Sequence, residues 1–106
     1  MKQRFIIHIR GSVQGIGYRV YAKQEADRLA LMGFVRNEPD GSVLVDAEGE
    51  EESLTLFMAL CQYGLPSALV ESLEMHELPL EGYTSFVIAR KWLRNPSDEM
   101  DQSKCE

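Results

Sequence analysis

Apolar and polar positions alternate from Arg4 to Arg10, with Phe5, Ile7 and Ile9 on one side and Arg4, Ile6, His8 and Arg10 on the other. A period of two marks a half-buried strand. The period then changes. Tyr18, Ala22, Ala26, Leu29 and Ala30 recur at helical spacing between Tyr18 and Met32, which predicts an amphipathic helix with Gly33 as its C-terminal cap. Phe34 to Asn37 returns to a strand pattern. Pro39-Asp40-Gly41 is a turn signal, because proline presets φ and glycine accepts positive φ. Val43, Val45 and Ala47 alternate after it, so 34–47 reads as a hairpin that Gly49 ends.

Leu54, Phe57, Met58, Cys61 and Leu65 again follow a helical period, which predicts a helix over 51–63. Glu50, Glu51 and Glu52 stand at its start, where the helix dipole favours negative charge. Gly64 and Pro66 close it. Val70, Leu73, Met75 and Leu78 suggest a strand with an irregularity, and Phe86 and Ile88 a short last strand in 85–89. The pattern stops after Arg90, so a domain over 1–90 and a disordered tail over 91–106 are expected. The order is β-α-β-β-α-β plus a short extra strand. It predicts an α+β, ferredoxin-like split βαβ sandwich: one mixed, mainly antiparallel sheet with two helices on one face.

Charge and composition narrow the function classes. The 106 residues suffice for one small domain, and no apolar run is long enough to span a bilayer. The N-terminus enters strand-like sequence at once, so no signal peptide is expected. Cys61 falls on the apolar helix face and Cys105 in the tail, neither with metal-ligand or CxxC spacing. Two free thiols suit a reducing cytoplasm. The net charge of −6 is unevenly spread: residues 1–36 carry seven Lys and Arg against Glu25 and Asp27, whereas 37–89 carry eleven acids and no Lys or Arg. An acidic chain is a poor general nucleic-acid binder. The basic first third suits a small anion, or the charges interleave in the fold; charge alone does not choose. A monomer is the simpler expectation.

The segment Gly11-Ser12-Val13-Gln14-Gly15-Ile16-Gly17-Tyr18-Arg19 joins the first strand to the first helix. Unsatisfied N–H groups at a helix start form an anion site, and an arginine fork matches phosphate oxygens. The loop fits neither GxxxxGK[ST] nor GxGxxG, and a tight turn into a helix accounts for its glycines equally well. Arg19 at a helix start opposes the dipole, an arrangement that a bound anion offsets. In the predicted topology the strand before this loop and the strand ending at Asn37 run parallel, so Arg19 and Asn37 converge at one sheet edge. Taken alone, Asn37 also reads as a residue leading into the Pro39-Asp40-Gly41 turn. His8 and His76 show no ligand or nucleophile spacing, and Asp46 and Glu48 read as solvent-facing charges on one strand face.

Two stretches resemble the signatures of the acylphosphatases. Gly11-x-Val13-Gln14-Gly15-Ile16-x-Tyr18-Arg19 is similar to the first, and Gly33-Phe34-Val35-Arg36-Asn37-x-x-Asp40-Gly41-x-Val43 to the second. Gly49, and Gly64-Pro66-Ala68-Val70, also fit, so the resemblance spans roughly residues 4–90. Ile16, Tyr18 and Phe34 stand where valine, phenylalanine and tryptophan are common, which changes packing and leaves the polar chemistry in place.

The resemblance implies a metal-independent hydrolase that splits the carboxyl–phosphate bond of acyl phosphates into a carboxylate and inorganic phosphate. It implies that Arg19 holds phosphate oxygens, that the backbone amides of Gln14, Gly15, Ile16, Gly17, Tyr18 and Arg19 wrap the same group, and that Asn37 positions the attacking water. The substrate is then a small acyl phosphate, with no nucleic-acid or membrane partner. The alternative is a non-catalytic module on the same fold that binds an anion or an acyl or carbamoyl phosphate. An RNA-binding ferredoxin-like domain fits poorly, because the strands offer few aromatics and residues 37–89 are strongly acidic.

Overall fold

A computed structural model describes residues 1–89. The proposed tail, with Trp92 and Cys105, lies outside the described residues. Seven elements follow in order: β1 (Lys2–Ser12), α1 (Tyr18–Arg28), β2 (Met32–Asn37), β3 (Val43–Glu50), α2 (Glu51–Tyr63), β4 (Leu69–Leu78) and β5 (Phe86–Ala89). The sheet order is β4-β1-β3-β2-β5. β3 lies antiparallel between β1 and β2, so those two run parallel and end at the same edge. β4 pairs antiparallel with β1, and β5 parallel with β2. This is the expected ferredoxin-like α+β sheet, and the irregularity read in 70–78 is a register shift of β4 opposite Arg10 and Gly11.

The core lies where the alternation placed it. Ile7 and Ile9, Val35, and Val43, Val45 and Ala47 supply its sheet side; Tyr18, Ala22 and Ala26 of α1 and Leu54, Phe57 and Cys61 of α2 cover it. Two tyrosine hydroxyls couple the helices. Tyr18 donates to the Cys61 carbonyl at 2.6 Å and Tyr21 to the Leu60 carbonyl at 2.9 Å, satisfying main-chain oxygens near the end of α2. The hydroxyl that Tyr18 carries in place of a phenylalanine hydrogen therefore has a partner, as a buried polar group requires. Burial drives the Tyr18 phenol well above its usual range. Among the described residues no helix is long and apolar enough to cross a membrane.

Three expectations are corrected. The first helix ends at Arg28, and Ala30, at φ 60°, takes the left-handed turn that follows it. Gly33 is no cap: it lies within β2 at φ 141°, where a Cβ would stand 1.7 Å from the Asp46 carbonyl oxygen. The close approach of two backbones requires the glycine there.

Asp46 and Glu48 do not face solvent. Both are buried on the sheet face opposite the helices, where residues 79–83 close over them. Arg4 clasps Asp46 with Nε at 2.9 Å and Nη2 at 2.7 Å, and the Tyr83 hydroxyl donates to Asp46 at 2.8 Å. The Glu48 carboxylate accepts from the main-chain N–H groups of Glu81, Gly82 and Tyr83. Burial alone would raise its pKa, but those N–H groups and Arg4 hold it below the usual carboxylate range.

Candidate active site

The segment between β1 and α1 turns through Gly15 at φ 78° and Gly17 at φ 84°, a backbone region that glycine enters without steric penalty. Gly17 is the residue before the first turn of α1; no side chain hydrogen-bonds there as a cap, and that turn contains no acid. The start of α1 thus presents main-chain N–H groups and the positive end of a helix dipole.

Beside this turn is a cleft of about 370 Å³ lined by Val13, Gly15, Gly17, Tyr18, Arg19, Val20, Asn37 and Ile88. Arg19 and Asn37 therefore face one cavity, as the parallel course of β1 and β2 requires. Arg19 Nη1 donates to the Ala89 carbonyl at 3.1 Å, which fixes the guanidinium against the end of β5. Of the residues whose amides were expected to wrap an anion, Gly15, Gly17, Tyr18 and Arg19 line the cleft. The other two send their side chains elsewhere. Ile16 packs on the core, and Gln14 Nε2 donates to the carbonyls of Glu38 and Ser42.

Val13, Val20, Ile88 and the Ala89 carbonyl were not foreseen. Val20 is half exposed at the cleft and, with Ile88, gives it an apolar side. Helical spacing placed Val20 off the apolar stripe, the one hint that it serves something other than the core. The contact of Arg19 with β5 joins residues far apart in sequence and left no local signal.

Pairing of the charges isolates Arg19. Arg4 meets Asp46, Arg10 meets Asp40 at 3.1 Å, and Arg36 meets Glu38 at 2.7 Å, each joining the basic first third to the acidic segment. Lys23 pairs with Asp27 and Arg28 with Glu25 inside α1. The charges do interleave, yet among the described residues Arg19 is the arginine that meets no carboxylate. It stands at the cleft with no carboxylate partner among the described residues. His8 is structural: its Nε2 lies 2.7 Å from Ser42 Oγ, whose proton goes to Asp40 at 2.6 Å. Among the described residues no three His, Cys, Asp or Glu side chains gather as a metal-donor set.

A ferredoxin-like sheet with an uncapped helix start and an arginine beside one cleft offers the features that suit a small anion. The comparisons with known proteins are more specific. A family profile described as Acylphosphatase matches residues 5–88. The chain is 39% identical over 83 residues to an acylphosphatase of Archaeoglobus fulgidus, covering 78% of this chain and 93% of that one. It is 40% identical over 89 residues to an acylphosphatase of Methylococcus capsulatus, covering 83% and 97%. The crystal structure of the acylphosphatase from Bacillus subtilis superposes with a TM-score of 0.79 at 37% identity, covering 83% of this chain and 98% of that one. The chain belongs to the acylphosphatase family.

Proposed function

We propose that Arg19 and Asn37 divide the work of acyl phosphate hydrolysis between them in this cleft. The observation that carries the division is that the arginine without a carboxylate partner among the described residues and the terminal asparagine of β2 line the same cavity. The phosphoryl group of the substrate rests on the N–H groups of residues 14–19, and the Arg19 fork neutralises its oxygens.

An acyl phosphate is a mixed anhydride with a carboxylate leaving group, so its hydrolysis needs positioning and charge stabilisation more than a strong base. Water attacks phosphorus and the P–O bond to the carboxylate breaks, giving a carboxylate and inorganic phosphate. The Asn37 amide is neutral at every physiological pH, so it orients the water and removes no proton. The proton passes to an oxygen of the phosphoryl group. Fixed donors aimed at the developing charge supply the main stabilisation. No step calls for a metal or cofactor, and the partner is the small substrate alone, with no nucleic acid or membrane. A cytoplasmic monomer fits the free, buried Cys61 and the net charge of −6.

Hydrolysis of benzoyl phosphate, with a chelator present and inorganic phosphate as competitor, tests this reading. Chelator-resistant turnover with competitive inhibition by phosphate is expected. Phosphate binding without turnover would instead indicate the non-catalytic module.

A further inference from the structure

Gln14 stands in the phosphate loop, yet its side chain leaves the cleft. Nε2 lies 2.8 Å from the Glu38 carbonyl oxygen and 2.9 Å from that of Ser42. Both neighbours are acceptors, so the NH2 end of the amide must face them, and its two N–H groups match the two carbonyls. Those carbonyls belong to the turn that joins β2 to β3. Asn37 pairs with Val43 as the last rung of that ladder, and beyond it the turn closes on itself through Glu38 N–H to the Ser42 carbonyl at 2.9 Å and Gly41 N–H to the Glu38 carbonyl at 3.1 Å. One side chain from the loop that cradles the anion thus holds both ends of the turn that begins one residue after Asn37.

We infer that Gln14 is a positioning residue: its side chain sets the placement of Asn37 relative to the phosphate loop, while its main chain belongs to the loop itself. This rests on the reading of Asn37 as the group that orients water. A neutral amide donating to two main-chain carbonyls adds no charge near the phosphate, so its loss spares anion binding. What it removes is registration between two segments that meet nowhere nearby in sequence, and a misplacement of about 1 Å at a reacting geometry lowers turnover by about 100-fold.

The test uses Gln14→Met, which keeps length and neutrality and deletes both donors, and Gly41→Ala, which strains the same turn from the other side because Gly41 sits at φ 94°. For each, kcat on benzoyl phosphate and the inhibition constant of inorganic phosphate are measured, with Asn37→Ala alongside. The expected result is a fall in kcat of about 10- to 100-fold in both turn variants with phosphate inhibition unchanged. Adding Gln14→Met to Asn37→Ala should then lower kcat little further. Retained kcat in folded Gln14→Met, or loss of phosphate affinity in step with kcat, overturns the inference. Should Gln14→Met not fold, Gln14→Leu, which also deletes both donors without adding charge, takes its place. Wild-type turnover by folded Asn37→Ala would instead sink the reading of Asn37, a distinct outcome.

Discussion

Arg19 donates to the main-chain carbonyl of Ala89 at 3.1 Å, so a residue in the first turn of α1 is held by the last residue of β5. One N–H of the fork goes to the Ala89 carbonyl, and in the proposed reading the other N–H groups of the guanidinium serve the phosphoryl group. A lysine ammonium is a single charge on a flexible stem and cannot present two fixed edges at once. Arg19→Lys is therefore expected to lower turnover of an acyl phosphate by about 100- to 1,000-fold, the scale of a lost preorganised donor. Circular dichroism should show the fold unchanged.

The pair of Arg4 and Asp46 concerns stability. Asp46 is fully buried and the Arg4 side chain only 13% exposed. Arg4→Met leaves the carboxylate with the Tyr83 hydroxyl alone, and loss of one partner from a buried pair costs about 3–5 kcal/mol. Urea unfolding measures this. The double variant Arg4→Met with Asp46→Leu should recover much of the loss, because it leaves no unpaired charge.

Acid should weaken the fold through Asp40 and Glu48. The Asp40 carboxyl accepts from the Ser42 hydroxyl and N–H and pairs with Arg10, which brings its pKa from the usual 3.8 down to about 2. Glu48 is lowered as well. A carboxyl with a depressed folded pKa binds its proton more readily when unfolded. Its stabilisation is complete above the unfolded value and is lost as pH falls through the folded one. Thermal unfolding followed between pH 5 and pH 2 should show the midpoint falling below about pH 4, and Asp40→Asn should flatten the part that Asp40 contributes.

Much of this was legible in the sequence because the relevant signals are local. Alternation and helical period found every strand and helix in order; the second helix was read at about its observed bounds, Glu51 to Tyr63, and the first was read four residues too long. The convergence of Arg19 and Asn37 followed from topology alone. What escaped depends on segments distant in sequence. Asp46 and Glu48 look solvent-facing until residues 79–83 fold over that sheet face. Gly33 looks like a helix cap until the Asp46 carbonyl is seen against it. The Gln14 side chain gave no sign that it serves the turn after Asn37, because two main-chain carbonyls carry no residue identity.

The most direct test of the central claim is to compare kcat on benzoyl phosphate with the inhibition constant of inorganic phosphate in the wild-type protein, Arg19→Lys and Asn37→Ala. If Arg19 binds the phosphoryl group and Asn37 orients water, Arg19→Lys loses both turnover and phosphate affinity, whereas Asn37→Ala loses turnover and keeps phosphate inhibition. Near-wild-type turnover by either folded variant, or equal loss of phosphate affinity in both, would contradict the account.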